Sequence, residues 1–334
     1  MTRAHVKGLA IQDGRLEAEI RGRLEEVEAG LEKAVRSDSD FVTEAATSLV
    51  RAGGKRFRPM LVLLGGYFGD PTDPRLIQGA TAIEIVHLAT LYHDDVVDEA
   101  DSRRGRSSVN AAWGNTVAIL TGDFLFARAS EISADLGTDV SRLLARTIAM
   151  LCDGQIREVE RTGRANPDET AYLEIIRRKT ASLIATSCRL GGMLSDASPE
   201  TVERLDDLGM SLGMAFQLSD DIMDVVSSHA ELRKEPGQDL REGVYTLPVL
   251  YALQEQGGGG ELAELLADGP PDGAGFARAF DLVRSEGSLA RAREAVTQQV
   301  RRTTSLVGEL GPGLASDALM QLAEFLAVRC GAES

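Results

Sequence analysis

Several features are scarce in this chain of 334 residues, and each scarcity excludes something. The cysteines, Cys152, Cys188 and Cys330, are three in number, far apart and outside any CxxC or Cys/His spacing, which excludes a disulfide framework and a zinc cluster. They read as small buried apolar residues. Aromatic residues make up only 4%, with one Trp, too few to line a pocket that wraps a cation in aromatic faces. Basic residues are outnumbered, 36 Lys and Arg against 52 Asp and Glu, for a formal charge of -16. A field of that sign repels a phosphate polymer and argues against nucleic-acid binding. An anionic substrate must therefore be met by local cations. No apolar run approaches the roughly 20 residues that span a bilayer. The opening MTRAHVKGLAIQDGRLEAEI lacks the apolar stretch of a signal peptide, so a cytoplasmic protein is expected.

Strand signals are missing too: there is no sustained alternation, and the β-branched clusters lie inside helical patterns. What is present is helical period. Leu16, Ile20, Leu24, Val27, Leu31 and Ala34 recur at spacings of three and four, with Asp13 as cap, predicting a helix over 13–37. The period returns at 76–98, 116–134, 140–160, 170–190 and 201–226, and in segments after 244, 276 and 316. Turns are expected at Gly53-Gly54, Asp70-Pro71, Gly105, 163–167, Gly191-Gly192 and 257–260. The Gly/Pro-rich stretch 257–275 reads as a mobile surface loop around an apolar turn of Leu262, Leu265 and Leu266. The expected architecture is an all-α, single-domain bundle of antiparallel helices over 1–334.

Two short acidic motifs carry the chemistry. Residues 93–98 read His-Asp-Asp-Val-Val-Asp and residues 217–224 read Gln-Leu-Ser-Asp-Asp-Ile-Met-Asp, so Asp94, Asp95, Asp98 and Asp220, Asp221, Asp224 share one spacing. At about 100° per residue, positions i, i+1 and i+4 fall within an arc of roughly 100°, so each helix offers three carboxylates from one face. A lone trio is equally well a solvated helix face. Two trios set among residues as apolar as Ile85, Val86, Leu88, Leu212, Met214 and Ile222 demand positive charge instead. Oxygen donors without Cys or His sets point to Mg²⁺.

Matching cations are present. Gly53-Gly54-Lys55-Arg56-Phe57-Arg58-Pro59 crowds three of them beside two glycines and suits a diphosphate, although it is not a Walker loop. Arg103-Arg104 and Lys179-Thr180 add more, each alone equally a solvated charge. His87 stands seven residues before Asp94, about 10 Å along the same helix face, where it could serve a second diphosphate or simply be a satisfied core histidine. His93 is ambiguous in the same way, and His5 and His229 read as surface residues.

With these motifs in view, the chain resembles the trans-isoprenyl diphosphate synthases of the polyprenyl synthetase family from about residue 45 to 255. The likeness is carried by GGKRFRP (53–59), HDDVVDEADSRRG (93–105), GDFLFARA (122–129), KTA (179–181), FQLSDDIMD (216–224) and REGVYTLP (241–248). The resemblance implies a helical bundle around a deep cavity with the acidic motifs facing each other across its mouth. It also implies a homodimer, with the N-terminal helix on or near its interface, and Mg²⁺, about three ions per site. Asp94, Asp98 and Asp220 would be direct metal ligands; Asp95, Asp221 and Asp224 would support through water or hydrogen bonds, Asp224 on the metal side. Lys179, Gln217, Lys234 and Arg103 would hold the allylic diphosphate, such as farnesyl or geranylgeranyl diphosphate. Lys55, Arg58, His87 and Arg104 would hold isopentenyl diphosphate, and Thr180 with Gln217 would orient the carbocation. Many members carry Lys where this chain has Val244, so a phosphate contact from that position is in question.

The implied reaction is head-to-tail condensation of isopentenyl diphosphate with an allylic diphosphate. Small residues at Ala89 and Thr90, five and four positions before Asp94, leave room for a tail to pass, and Tyr92 points elsewhere on the helix. A trans-polyprenyl product longer than C20, used for quinone side chains, is expected. The alternatives are a short-chain C15–C20 synthase, a terpene cyclase, and a non-catalytic partner subunit of a heteromeric synthase. Few aromatics speak against the cyclase, and six intact aspartates against the subunit.

Overall fold

A computed structural model describes residues 11–227 and 236–332; His5, His229 and Lys234 lie outside the described residues. Helix α1 (Gly14–Ala34) begins where the Asp13 side chain accepts hydrogen bonds from the backbone N–H groups of Arg15 and Leu16. It buries Leu16, Ile20, Leu24, Val27 and Leu31 in one stripe. The expected end at 37 and the core role of Ala34 give way to an end at Ala34, after which buried Val35 completes the stripe.

The chain divides into two compact units, each described by itself. The first comprises Met1–Ile148, Thr186–Asp206 and Leu310–Leu319. In it α2 (Asp40–Arg51) and α3 (Phe57–Gly66) precede α4 (Arg75–Val97), which packs along α6 (Asn115–Leu136) and against α3 and α1. That enclosure explains a sequence apolar on every side: Ile83, Ile85, Val86, Leu88 and Ala89 are all buried. Before the short α5 (Val109–Trp113), Ser102–Arg103 pairs with Arg106–Ser107 in a minimal hairpin. Its two turn residues, Arg104 and Gly105, have φ of 52° and 76°, the left-handed pair that such a turn requires.

The second unit comprises Ala149–Ala185, Asp207–Glu309 and Met320–Ser334. Helices α7 (Thr138–Arg161), α9 (Ser182–Leu194), α10 (Pro199–Val226), α15 (Glu286–Leu310) and α16 (Leu314–Arg329) contribute residues to both units. Lying wholly within the second are α8 (Glu169–Ile176), α11 (Gln238–Glu242), α12 (Leu247–Glu255), α13 (Glu261–Leu265) and α14 (Gly273–Val283).

Three further expectations are corrected. Gly191-Gly192 is no turn but the interior of α9. A Cβ at Gly191 would stand 2.2 Å from the Val62 carbonyl oxygen, and one at Gly65 2.7 Å from that of Cys188, so these glycines let α3 and α9 touch backbone to backbone. The stretch 257–275 is not all loop, since α13 folds within it and anchors it by buried Leu262 and Leu266. The helix expected over 170–190 is interrupted by a π-helical turn, Arg177–Ala181. There the α7 backbone comes so close that a Cβ on Gly154 would lie 2.6 Å from the Lys179 nitrogen. Such turns often mark functional positions, and this one carries Lys179 and Thr180.

Candidate active site

Both acidic trios lie at the C-terminal ends of long helices. Asp98 caps α4, and Asp220 and Asp224 occupy the last two turns of α10; neither helix has a basic residue in its last turn. A helix C-terminus already carries partial negative charge, so three carboxylates there oppose their own helix. Such ends call for positive charge from outside the helix.

In the first unit the trio divides its labour. Asp95 is only 1% exposed and accepts a 2.6 Å hydrogen bond from Arg103 Nε, while Asp94 is half-buried and Asp98 exposed. Burial raises the Asp95 pKa despite the nearby guanidinium. Asp95 is thus a structural partner of Arg103, and Asp94 and Asp98 remain on the accessible side.

The expected anion-binding cations of this unit gather around His87. Burial first, and then the charges of Arg58, Arg104, Arg56 and Arg103, hold its pKa well below the usual range. His87 is therefore a neutral ring amid guanidinium groups, able to donate one N–H without adding charge. Arg56, one of the three crowded cations, is buried and committed: it donates to Glu28 and, at 2.7 Å, to Glu84 Oε1. Its φ of 49° is left-handed, so two carboxylates hold the backbone of the GGKRFRP segment in a costly conformation. Arg104 Nη1 donates to the Gly53 carbonyl and ties the hairpin to the same segment. Lys55 is exposed.

His93 takes the plain structural role: its Nε2 lies 3.1 Å from the Ile119 carbonyl oxygen and 3.5 Å from Asp123, and its ring meets Phe126 edge-on. Tyr92 does point elsewhere, its hydroxyl donating to the Ala45 carbonyl at 2.7 Å. Ala89 is fully buried, whereas Thr90 is half-buried with its hydroxyl on the His87 carbonyl.

In the second unit the same division recurs. Asp221 is 2% exposed and accepts from the Tyr172 hydroxyl and, at 2.8 Å, from Gln217 Nε2; Asp220 and Asp224 are half-buried. Burial pushes the Asp221 pKa up to about 7. The Thr180 hydroxyl donates to Gln217 Oε1 at 2.9 Å, so Thr180, Gln217 and Asp221 form one chain of hydrogen bonds. Lys179 Nζ is paired with Glu158. Asp224 accepts at 3.2 Å from the backbone N–H groups of both Gln238 and Asp239. Arg329, at the end of α16, donates from Nη2 to Asp220 Oδ1 at 2.6 Å and from Nε to Ser219 Oγ at 2.7 Å. Val244 is half-buried after α11, its N–H on the Asp239 carbonyl.

Five partners escaped the sequence: Glu28, Glu84, Tyr172, Glu158 and Arg329. Only Tyr172 had a local signal, standing two helical turns before Lys179. Arg329 meets Asp220 across 109 residues, a separation at which no motif spacing speaks.

The donor set suits a hard cation. Among the described residues no three His, Cys, Asp or Glu side chains converge into a metal cluster by themselves. Carboxylates one turn apart with the inner acid already engaged fit Mg²⁺, which keeps waters and is completed by substrate phosphates.

Comparison with known proteins agrees with the motifs. The model of the Polyprenyl synthetase family matches residues 39–283, and the chain belongs to this family of prenyltransferases. It is similar to the nonaprenyl diphosphate synthase of Mycobacterium tuberculosis, 42% identical over 98% of each chain. Among solved structures it resembles a polyprenyl synthase from Caulobacter crescentus complexed with calcium and isoprenyl diphosphate, with a TM-score of 0.88 at 30% identity over 96% of this chain and 98% of that one. It is also similar to a geranylgeranyl pyrophosphate synthase from Corynebacterium glutamicum, likewise complexed with calcium and isoprenyl diphosphate, with a TM-score of 0.84 at 40% identity over 95% and 98%.

Proposed function

We propose that this chain is a Mg²⁺-dependent, cytoplasmic, homodimeric synthase that extends an allylic diphosphate with isopentenyl diphosphate to a trans-polyprenyl diphosphate longer than C20. The observation that carries the reading is the repeated division of each acidic trio into one buried inner carboxylate and two more accessible outer ones at a helix end. The outer pairs, Asp94 with Asp98 and Asp220 with Asp224, would hold Mg²⁺. Bound there, Mg²⁺ would neutralise the diphosphate leaving group as the allylic C–O bond breaks.

The other steps fall to side chains. Lys55, Arg58, Arg104 and neutral His87 bind the diphosphate of isopentenyl diphosphate and orient its double bond for attack on the allylic carbon. Lys179, Arg103 and Lys234 bind the allylic diphosphate, and the Thr180–Gln217 pair turns dipoles toward the developing cation. The proton lost from isopentenyl diphosphate passes to the departing diphosphate. Product length favours the long-chain reading because Ala89 and Thr90 put no large ring on α4 five and four positions before Asp94, and Tyr92 is turned to the Ala45 carbonyl.

The test is product analysis by mass spectrometry, with purified chain, farnesyl diphosphate, isopentenyl diphosphate and Mg²⁺. A polyprenyl diphosphate beyond C20, lost when Mg²⁺ is chelated, is the expected result. A product stopping at C15 or C20 returns the short-chain alternative, and no diphosphate release defeats the enzyme reading.

A further inference from the structure

Tyr172 lies in none of the recognisable motifs, yet its hydroxyl reaches the centre of one of them. It is buried on α8, seven residues before Lys179, and donates to Asp221 Oδ2. The other carboxylate oxygen, Oδ1, accepts from Gln217 Nε2 at 2.8 Å, and Gln217 Oε1 accepts from Thr180 Oγ at 2.9 Å. Both oxygens of the Asp221 carboxylate accept, one from the phenol and one from the amide N–H of Gln217, so this pairing sets which end of the Gln217 amide faces Asp221. The carbonyl end must then face Thr180, and the Thr180 hydroxyl must donate. Polarity is thus set along the whole chain from its far end.

We infer that Tyr172 is a positioning residue for the allylic substrate: by fixing the Asp221 carboxylate it fixes the orientation of the Gln217 amide and of the Thr180 hydroxyl. This rests on the function proposed above, in which Gln217 and Thr180 orient the allylic cation. Without the phenol, one oxygen of a buried carboxylate loses its donor and the group is free to turn. The amide and the hydroxyl then lose their fixed sense, although each residue is still present. The hydrogen bond also joins α8 to α10 beside the π turn that carries Lys179 and Thr180, so the same contact sets the spacing of these two elements.

Tyr172→Phe removes one oxygen and keeps the ring. Expected is a fall in kcat of about 10–100-fold, the usual effect of losing a hydrogen bond that orients a ligand-bearing group. KM for isopentenyl diphosphate stays within about twofold, since Lys55, Arg58, His87 and Arg104 are untouched. Mn²⁺ binding to the substrate-free protein, read by electron paramagnetic resonance, weakens about tenfold. Tyr251→Phe is the matched control: this buried tyrosine of the same unit donates to Glu169 at 2.9 Å, outside the chain of bonds, and its loss leaves both readouts unchanged. A Tyr172→Phe protein with kcat and Mn²⁺ affinity within about twofold of wild type overturns the inference. So does an equal loss of kcat in Tyr251→Phe, which reduces the effect to stability. A wild-type chain that releases no diphosphate defeats the proposed function instead, and the Mn²⁺ comparison still decides whether Tyr172 positions the trio.

Discussion

Replacing Glu84 by Gln tests how the buried Arg56 holds the GGKRFRP segment. Arg56 and Glu84 are 3% and 2% exposed and 2.7 Å apart, with Glu28 as the second partner. At that distance and an effective dielectric of about 20, the Coulomb energy is about 6 kcal/mol. Glu28 continues to neutralise the guanidinium, so the net loss falls to about 3–5 kcal/mol, the range for breaking a buried pair from one side. At about 2 °C per kcal/mol for a chain of this size, the Tm drops by roughly 6–10 °C. The Arg56 backbone, no longer clamped at its left-handed φ, relaxes, and KM for isopentenyl diphosphate rises several-fold because Lys55 and Arg58 flank it. Differential scanning calorimetry and steady-state kinetics give the two numbers. A Tm shift below about 2 °C refutes the reasoning. The double variant Arg56→Met, Glu84→Leu supplies the complementary result: it recovers part of the stability, since the buried pair is gone and only the part-exposed Glu28 is left without its partner, while KM stays raised.

Two further outcomes follow. Asp221 has its pKa pushed up to about 7, so the native state keeps a proton that the unfolded chain gives up near pH 4. Stability of metal-free protein therefore falls as pH rises between those values. Thermal melts in chelator from about pH 5 to about pH 7.5 should show that fall, Asp221→Asn should make it shallower, with Asp239, whose pKa is raised as well, supplying the rest, and an unchanged slope in the variant counts against the assignment. Thr90→Phe places a ring on the accessible side of α4, where Ala89 is packed away, and should shorten the prenyl product in mass spectra; an unchanged product length removes Thr90 from the tail's path.

The parts of the fold that sequence made legible are those written in local code. The Asp13 cap, the Leu16 to Leu31 stripe and the two aspartate spacings need only helical geometry to read. Gly191 misled because a glycine pair inside a helix looks the same whether it ends the helix or admits a neighbour, and only the approach of Val62 decides. The π turn at Lys179 was invisible because no local spacing marks it, and the close neighbour it meets, Gly154, lies on another helix. The site was legible as a set of charges and illegible as a set of partners. Arg56 read as one of three cations crowded for a diphosphate although Glu28 and Glu84 hold it, and Arg103 stands on Asp95. Partner choice is long-range packing, which periodicity does not encode.

The acid-terminated ends of α4 and α10 have a consequence for how the protein spends its idle time. In the empty protein Arg103 on Asp95 and Arg329 on Asp220 supply the opposite charge that those final turns need. Arrival of the ionic cargo is then an exchange of one counter-charge for another on turns that are already formed.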